Sequence, residues 1–319
     1  MEYRKVGKWG LRISELGLGS WLTFGNQLDV ENAKRCIEKA FDHGINFFDT
    51  AEAYANGMAE FILGQVLKEF ARDDIVVSTK IFWGGNGPNK VGLSKKHFIE
   101  GLENSLKRLE LDYVDIVYCH RPDPDTPLEE TIFAVDHVLK NGWALYWGTS
   151  EWTAEQIEKA HKVCDELHVM HPIVEQPGYN LLRRDKVERE FSPLYEKYGM
   201  GLTTFSPLAS GLLSGKYNDG IPSGSRLDRF PQVKEWMEKD GLLNESTFKK
   251  IRALSEIAKS VSSTLSQFSL AWILKNPHVS SVILGVSNVE QLEENLKAVE
   301  VKEKITEEIM KEVEEVLKG

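Results

Sequence analysis

Short apolar runs alternate with amphipathic helical stretches along almost the whole chain. Runs of strand length lie at Glu15–Ser20, Ile45–Asp49, Ile75–Thr79, Val114–Cys119, Ala144–Ser150, Ile173–Gln176, Gly201–Ser206 and Ser281–Gly285. Helical patterns with legible starts fall between them. Ser94 precedes a helix that puts Phe98, Leu102, Leu106 and Leu109 on one face. Thr126-Pro127-Leu128-Glu129 reads as a capping box with proline at the first helical position, leading into Ile132, Val135 and Leu139. Thr153-Ala154-Glu155-Gln156 and Thr264-Leu265-Ser266-Gln267 open two more helices in the same way. At the start, Gly7-Lys8-Trp9-Gly10 turns between two short β-like pieces in Tyr3 to Ile13, a hairpin pattern. Pro207 to Asn244 has glycines, prolines and no clean helical period, so it reads as a lid or binding loop after the seventh strand. The tail, with Ile305, Ile309, Val313, Val316 and Leu317, predicts an amphipathic helix lying on the body.

Eight strands, each followed by a helix, predict an α/β fold: a (β/α)8 TIM barrel with an N-terminal hairpin, a long loop after strand 7 and a C-terminal helix. A chain of 319 residues fits one such domain, 1–319. The rival, a doubly wound sheet, wants Gly-x-Gly-x-x-Gly after its first strand. Here Gly17-Leu18-Gly19 is followed by Leu22 where the third glycine belongs, so the dinucleotide fingerprint is absent.

Composition narrows the partners. A net charge of -10 with no basic stripe argues against nucleic acid. No apolar run reaches membrane-spanning length, and MEYRKVGKWG lacks the apolar region of a signal peptide. Cys36, Cys119 and Cys164 are scattered and odd in number, which suggests neither a disulfide framework nor a zinc site, and points to a reducing cytoplasm.

Barrel catalysis sits at the C-terminal ends of the strands. Those ends read Asp49, Lys80, His120, Ser150, Gln176 and Ser206, a polar ring around one mouth. Tyr54 follows Asp49 in the next loop. A tyrosine with an ordinary pKa near ~10 is a poor acid at neutral pH, and a neighbouring ammonium lowers that pKa. A carboxylate keeps the ammonium charged, and an imidazole can donate to a carbonyl oxygen. Asp49, Tyr54, Lys80 and His120 thus suit protonation of a carbonyl oxygen as hydride reaches its carbon. The same residues fit a second reading, a buried Asp–Lys pair with a core histidine, Asp49 capping a helix and Tyr54 a half-buried ring. Trp21, Trp83 and Trp152 each follow a strand and read either as core or as walls for an apolar substrate or a nicotinamide. His168 and His171, followed by Pro172, read as a surface loop at a helix end, so no metal site is expected.

At GLGSW, NFFDTAEAY, VVSTK, VYCHRPD, WGTSEW, FSPLASGLLSGKY and GVSNVEQLEEN the chain resembles the aldo-keto reductase superfamily, from near the N-terminus to about Ala298. Trp9-Gly10-Leu11-Arg12, Lys80-Ile81-Phe82-Trp83-Gly84-Gly85 and Arg121-Pro122-Asp123-Pro124 resemble more closely the β subunits of voltage-gated potassium channels and their bacterial reductase relatives. The resemblance implies a barrel that binds NADP(H) in extended form and reduces small-molecule aldehydes or ketones. It casts Tyr54 as general acid, tuned by Lys80 and Asp49, with His120 orienting the carbonyl. Ser150 and Gln176 are similar to the family's carboxamide partners, with Asp49, Ser20, Trp21 and Gln27 near the nicotinamide end. Phe205, Ser206, Pro207, Leu208, Ser210, Gly211, Lys216 and Arg226 resemble the loop that clasps the pyrophosphate and the 2′-phosphate. Gly285, Ser287, Gln291, Glu294 and Asn295 resemble the adenosine-binding segment. Trp21, Tyr54, Trp83, His120 and Trp152 would line the substrate pocket, and a homotetramer is implied. Channel β subunits carry asparagine in place of His120, arginine in place of Glu151 and tyrosine in place of Gly224. His120 therefore favours a working reductase over a nucleotide-sensing channel accessory with slow turnover. A scaffold that had lost catalysis would show damage among the four residues.

Overall fold

The structure, a computed structural model, describes residues 1–21 and 30–318. The chain divides into two compact units. The first comprises Met1–Pro177, Asp185–Phe205 and His278–Leu292, and the second Gly178–Arg184, Ser206–Pro277 and Glu293–Gly319.

The first unit opens with an antiparallel hairpin, β1 (Tyr3–Lys5) and β2 (Arg12–Ser14). Eight strands follow: β3 (Leu16–Gly19), β4 (Phe47–Asp49), β5 (Val76–Ile81), β6 (Val114–Cys119), β7 (Ala144–Ser150), β8 (Val174–Gln176), β9 (Gly201–Thr204) and β10 (Val279–Leu284). They pair in parallel and close into a barrel in the order β10-β3-β4-β5-β6-β7-β8-β9. Every predicted strand is present, because the runs are largely apolar and, apart from Leu145 and Tyr146 in β7, buried along their length, as parallel barrel strands are.

The hairpin closes the N-terminal end of the barrel. Val6 and Ile13 pack with Phe47, Val76, Ile116, Ile173 and Ile283, and Trp9 and Leu11 cover the same cluster. Gly7 is required where the hairpin meets β9. Its φ is +57°, and a Cβ there would lie 2.1 Å from the Gly199 carbonyl oxygen. With that end filled, the chemistry is left to the opposite, C-terminal mouth.

The helix starts follow the predicted caps with one exception. Ser94 Oγ accepts from the His97 amide at the head of Lys95–Leu109. Thr153 and Gln156 form a full capping box on Ala154–Leu167, as do Thr264 and Gln267 on Leu265–Leu274. At Leu128–Lys140 the cap is Pro127 itself, because the Thr126 hydroxyl is drawn away to donate to Asp123 Oδ2 at 2.7 Å.

In the second unit, the stretch expected to lack helical period carries helices. A 3-10 turn spans Ala209–Ser214, and helices span Arg226–Arg229 and Pro231–Lys239. They are short and broken by glycine and proline, too brief to register as a period. The tail helix Glu307–Lys318 packs against Glu245–Ser260, where Lys250 Nζ donates to the Leu317 carbonyl at 3.0 Å. No helix of the described residues is long and apolar enough to cross a membrane.

One buried acid has a consequence for stability. Glu175 in β8 is fully buried, accepts from the Thr149 hydroxyl, and leaves Oε1 without a partner. Burial pushes its carboxyl from 4.5 up to about 8, against the opposing pull of Thr149 and Lys186. The unfolded state therefore releases this proton first, and stability falls as pH rises from about 5 to 8, by about 1.4 kcal/mol per unit at most. Glu175→Gln should remove that slope. Urea denaturation across this range is the check: the advantage of the glutamine variant should grow with pH, whatever constant offset it carries.

Candidate active site

Asp49 closes β4, and Lys80 stands one residue before the end of β5. Both point into the barrel, where Lys80 Nζ donates to Asp49 Oδ2 at 2.5 Å and to the Thr50 carbonyl at 2.8 Å. The pair is almost fully removed from water, with side chains 1% and 4% exposed. Asp49 Oδ1 is shared by two further donors, Ser78 Oγ at 2.7 Å and Gln176 Nε2 at 3.1 Å. The second bond crosses the barrel from β8 to β4. Beneath it the Tyr118 hydroxyl meets Thr203 Oγ1 at 2.8 Å, so polar groups of β6 and β9 join the network. A buried carboxylate held by three donors is fixed in position as well as in charge.

Tyr54 begins a short 3-10 turn, Tyr54–Gly57, whose Ala55 and Asn56 take left-handed φ values of 49° and 52°. Such strain outside glycine is a mark of sites where a side chain must be aimed. Tyr54 is half-buried, and Lys80 Nζ lies 4.9 Å from its ring centroid, close enough to act on the phenol electrostatically. Burial raises the phenol pKa and outweighs the lowering by Lys80. The expected net depression of that pKa is therefore absent: desolvation is stronger than the ammonium. A phenol held neutral is an acid that keeps its proton until it is needed. Burial also opposes the Lys80 charge, but Asp49 and Tyr54 prevail and raise its pKa.

His120 follows β6 directly and is 5% exposed. Burial, then Lys80, then Arg121 hold its pKa well below 6.5, so the ring is neutral at neutral pH. Its Nδ1 is buried with no partner. The imidazole packs edge-on to Tyr54, with centroids 5.8 Å apart, and to Trp83 at 4.9 Å. Asp49, Tyr54, Lys80, His120 and Trp83 are thus brought together by three consecutive barrel strands, β4, β5 and β6, and the loops that follow them.

Arg121 was not among the sequence candidates. Its Nη1 donates to the His120 carbonyl at 2.5 Å and to Ser150 Oγ at 3.3 Å, and its guanidinium lies 5.4 Å from the Trp83 ring. Thr50, Ser78 and Thr203 were missed as well. Ser78 sits two residues before Lys80, so strand alternation alone could have placed it on the same interior face.

Other predicted residues fall as follows. Ser150 and Gln176 end β7 and β8, with Ser150 Oγ donating to the Gln176 carbonyl at 2.9 Å. Ser20 is buried and donates to Thr50 Oγ1 at 2.9 Å, Trp21 is half-buried, and Gln27 lies outside the described residues. The Phe205 amide donates to the Pro177 carbonyl at 3.1 Å. Gly285 follows β10, and Ser287 hydrogen-bonds Gln291 at 2.9 Å. Trp152, 3% exposed, lines a cavity of about 480 Å³ with Pro122, Asp123, Thr126 and Gln156, a lining that includes none of the four candidate catalytic residues. His168 caps the helix Ala154–Leu167 in a left-handed conformation, and His171 bonds His161 Nδ1 at 2.8 Å.

Within the second unit, Ser206, Ala209 and Ser210 have φ of 52°, 46° and 55°. Pro207 and Leu208 lie between them, just before the 3-10 turn, and the Gly211 amide donates to the Leu208 carbonyl at 2.8 Å. Lys216 is exposed beside Gly211, and Arg226 is half-buried with burial working against its charge. Among the described residues neither cation has a carboxylate partner within ion-pair distance. Glu294 is held by Gln267 Nε2 at 2.8 Å, and Asn295 is 7% exposed. No group of three or more His, Cys, Asp or Glu among the described residues could hold a metal ion.

The profile of the Aldo/keto reductase family matches residues 15–318. The chain is 52% identical over 324 residues to a probable voltage-gated potassium channel subunit beta of Arabidopsis thaliana, covering 100% of this chain and 97% of that protein. It is 51% identical to a protein of the same description from Oryza sativa subsp. japonica, with the same coverage. A putative voltage-gated potassium channel subunit beta of Schizosaccharomyces pombe is 47% identical over 321 residues, 99% of this chain and 93% of its own length.

Proposed function

The chain belongs to the aldo/keto reductase family, and from that membership we propose that it is an NADP(H)-dependent oxidoreductase that reduces aldehydes or ketones to alcohols, with Tyr54 as general acid. The observation that carries the reading is the buried Lys80–Asp49 pair at 2.5 Å beside a neutral Tyr54 phenol and a neutral His120 ring. That arrangement suits a carbonyl oxygen, which gains negative charge as it is reduced and needs donors already in position.

The residues fit a nicotinamide cofactor by the chemistry of their donors and acceptors. Gln176 commits its amide nitrogen to Asp49, leaving the amide oxygen as an acceptor for a carboxamide N–H. Ser150, buried beside it, adds a hydroxyl. A bound nicotinamide would supply the hydride. Tyr54 would give its proton to the developing alkoxide, while Lys80 favours the phenolate left behind. His120 would orient the substrate through a nitrogen that has no other partner. Trp83, 40% exposed beside His120, offers an apolar wall reachable from solvent.

Lys216 and Arg226 support NADP(H) over NAD(H), since a 2′-phosphate would supply the anion that neither cation has among the described residues. Arg226→Ala should weaken NADPH binding by ten- to a hundredfold, on the order of 1.4–3 kcal/mol, and leave NADH binding nearly unchanged. Fluorescence titration with both cofactors decides it, and equal losses for both would remove the assignment. The activity itself is tested by following NADPH consumption against a panel of carbonyl compounds.

A second reading draws on the names of the relatives. A soluble accessory of a membrane channel, sensing nicotinamide nucleotides, would bind NADPH and turn over slowly or not at all. Tight NADPH binding with no carbonyl turnover in the panel would favour it.

A further inference from the structure

We infer that Glu52 is a positioning residue, whose carboxylate sets the Trp83 indole against His120 and so fixes one wall of the carbonyl site. The inference rests on the proposed reductase function only for its kinetic arm. Glu52 lies between Asp49 and Tyr54 in the chain, yet its side chain turns away from both. It is 5% exposed, and Oε1 accepts from the Phe82 amide at 2.7 Å and meets His97 Nε2 at 3.1 Å. Those partners stand on different elements, the end of β5 and the helix Lys95–Leu109. The room for the carboxylate is made by two glycines. A Cβ at Gly84 would come within 2.9 Å of Glu52 Oε2, and one at Gly101 within 3.0 Å.

Phe82 and Trp83 form the base of an arm that returns through Val91 and Gly92. The Gly92 amide donates to the Phe82 carbonyl at 2.8 Å, and Trp83 bridges Val91. Beyond β5 this arm runs over the surface, where residues 84–91 are mostly exposed. At Phe82 the arm is tied to the interior by the Glu52 carboxylate, while its returning end is held separately by Asp123, whose Oδ2 accepts from the Leu93 amide at 2.6 Å. Trp83 in turn packs on His120 and under the Arg121 guanidinium. Releasing Phe82 would let the indole drift from the imidazole. The Tyr54 loop has separate support: the Glu52 amide donates to the Lys80 carbonyl at 3.2 Å and the Tyr54 amide to the Ala51 carbonyl at 3.1 Å. Both bonds are made by backbone and survive loss of the side chain. The acid should stay in place while the wall moves.

This division yields a specific kinetic signature. Glu52→Ala should raise KM for a bulky aromatic aldehyde on the order of tenfold, change kcat by less than about threefold, and leave NADPH affinity unchanged. Glu52→Gln keeps an acceptor for Phe82 and should restore the wild-type KM. In a Trp83→Ala background the Glu52→Ala substitution should add nothing further, since both act on the same wall. Additive KM effects, or a Glu52→Gln variant as impaired as the alanine one, would overturn the inference. Amide hydrogen exchange provides an arm that needs no turnover: Phe82 should lose protection in Glu52→Ala and keep it in Glu52→Gln. If the wild type reduced no carbonyl, the reductase reading would fall by itself. Unaltered Phe82 protection in a folded Glu52→Ala protein would sink the clamp even with full activity.

Discussion

Tyr54→Phe should reduce kcat/KM for carbonyl reduction by about 10²- to 10⁴-fold, the range over which a positioned general acid acts, while NADPH binding stays nearly intact. Among the described residues of the cluster, the phenol is the group best placed to give up a proton at neutral pH. Lys80 is committed to Asp49 and the Thr50 carbonyl, and His120 is neutral and turned toward two aromatic rings. The ring of phenylalanine keeps the packing against His120, so the loss would be chemical rather than steric. The pH dependence gives a second check. Because the Tyr54 pKa is raised and that of His120 lies well below 6.5, reduction should show no limb near the ordinary histidine pKa and should fall only in strongly alkaline solution. Steady-state rates of both proteins over a range of pH, with cofactor titrations alongside, measure this. Near wild-type rates in the phenylalanine variant would remove Tyr54 from the role.

Lys80→Met is expected to lose activity to a similar degree and, unlike Tyr54→Phe, to lose stability as well. Removing the ammonium leaves Asp49 as an unpaired carboxylate in a site almost without water, which costs about 3–5 kcal/mol. It also deprives the phenolate of the cation that would stabilise it. The two consequences separate in the double variant Asp49→Asn/Lys80→Met. That protein should recover most of the stability, because no buried charge remains, and none of the activity. Urea denaturation and steady-state assays on the single and double variants provide the measurement. A double variant as unstable as Lys80→Met alone would show that the pair is not held as the 2.5 Å contact implies.

Much of the barrel was legible in the chain before folding. A strand buried on both faces is largely apolar, so runs such as Val114–Cys119 and Ala144–Ser150 announce themselves despite Asp115 in the one and Thr149 in the other, and their observed bounds match the pattern residue for residue. The rule that barrel chemistry sits at the carboxyl ends of strands then reduces candidate residues to a short set. Asp49, Lys80, His120, Ser150 and Gln176 could be named from position alone, since a polar residue ending an apolar run has few structural reasons to be there.

What tertiary structure decided was how those residues act on one another. Gln176 and Asp49 are 127 positions apart, and only closure of the barrel lets a β8 amide bind a β4 carboxylate. Glu52 and His97, 45 apart, carry no periodic signal, because a buried polar pair between a loop and a helix follows from packing alone. Tyr54 shows the limit most sharply. Sequence brings a lysine to it and argues for a lowered pKa, yet the net direction is upward, since desolvation depends on every atom around the ring rather than on one neighbour. Pattern along the chain therefore determined which residues reach the mouth, and the low dielectric created by folding determined their protonation, because hydrophobic order is written locally whereas solvent exclusion belongs to the whole assembled barrel.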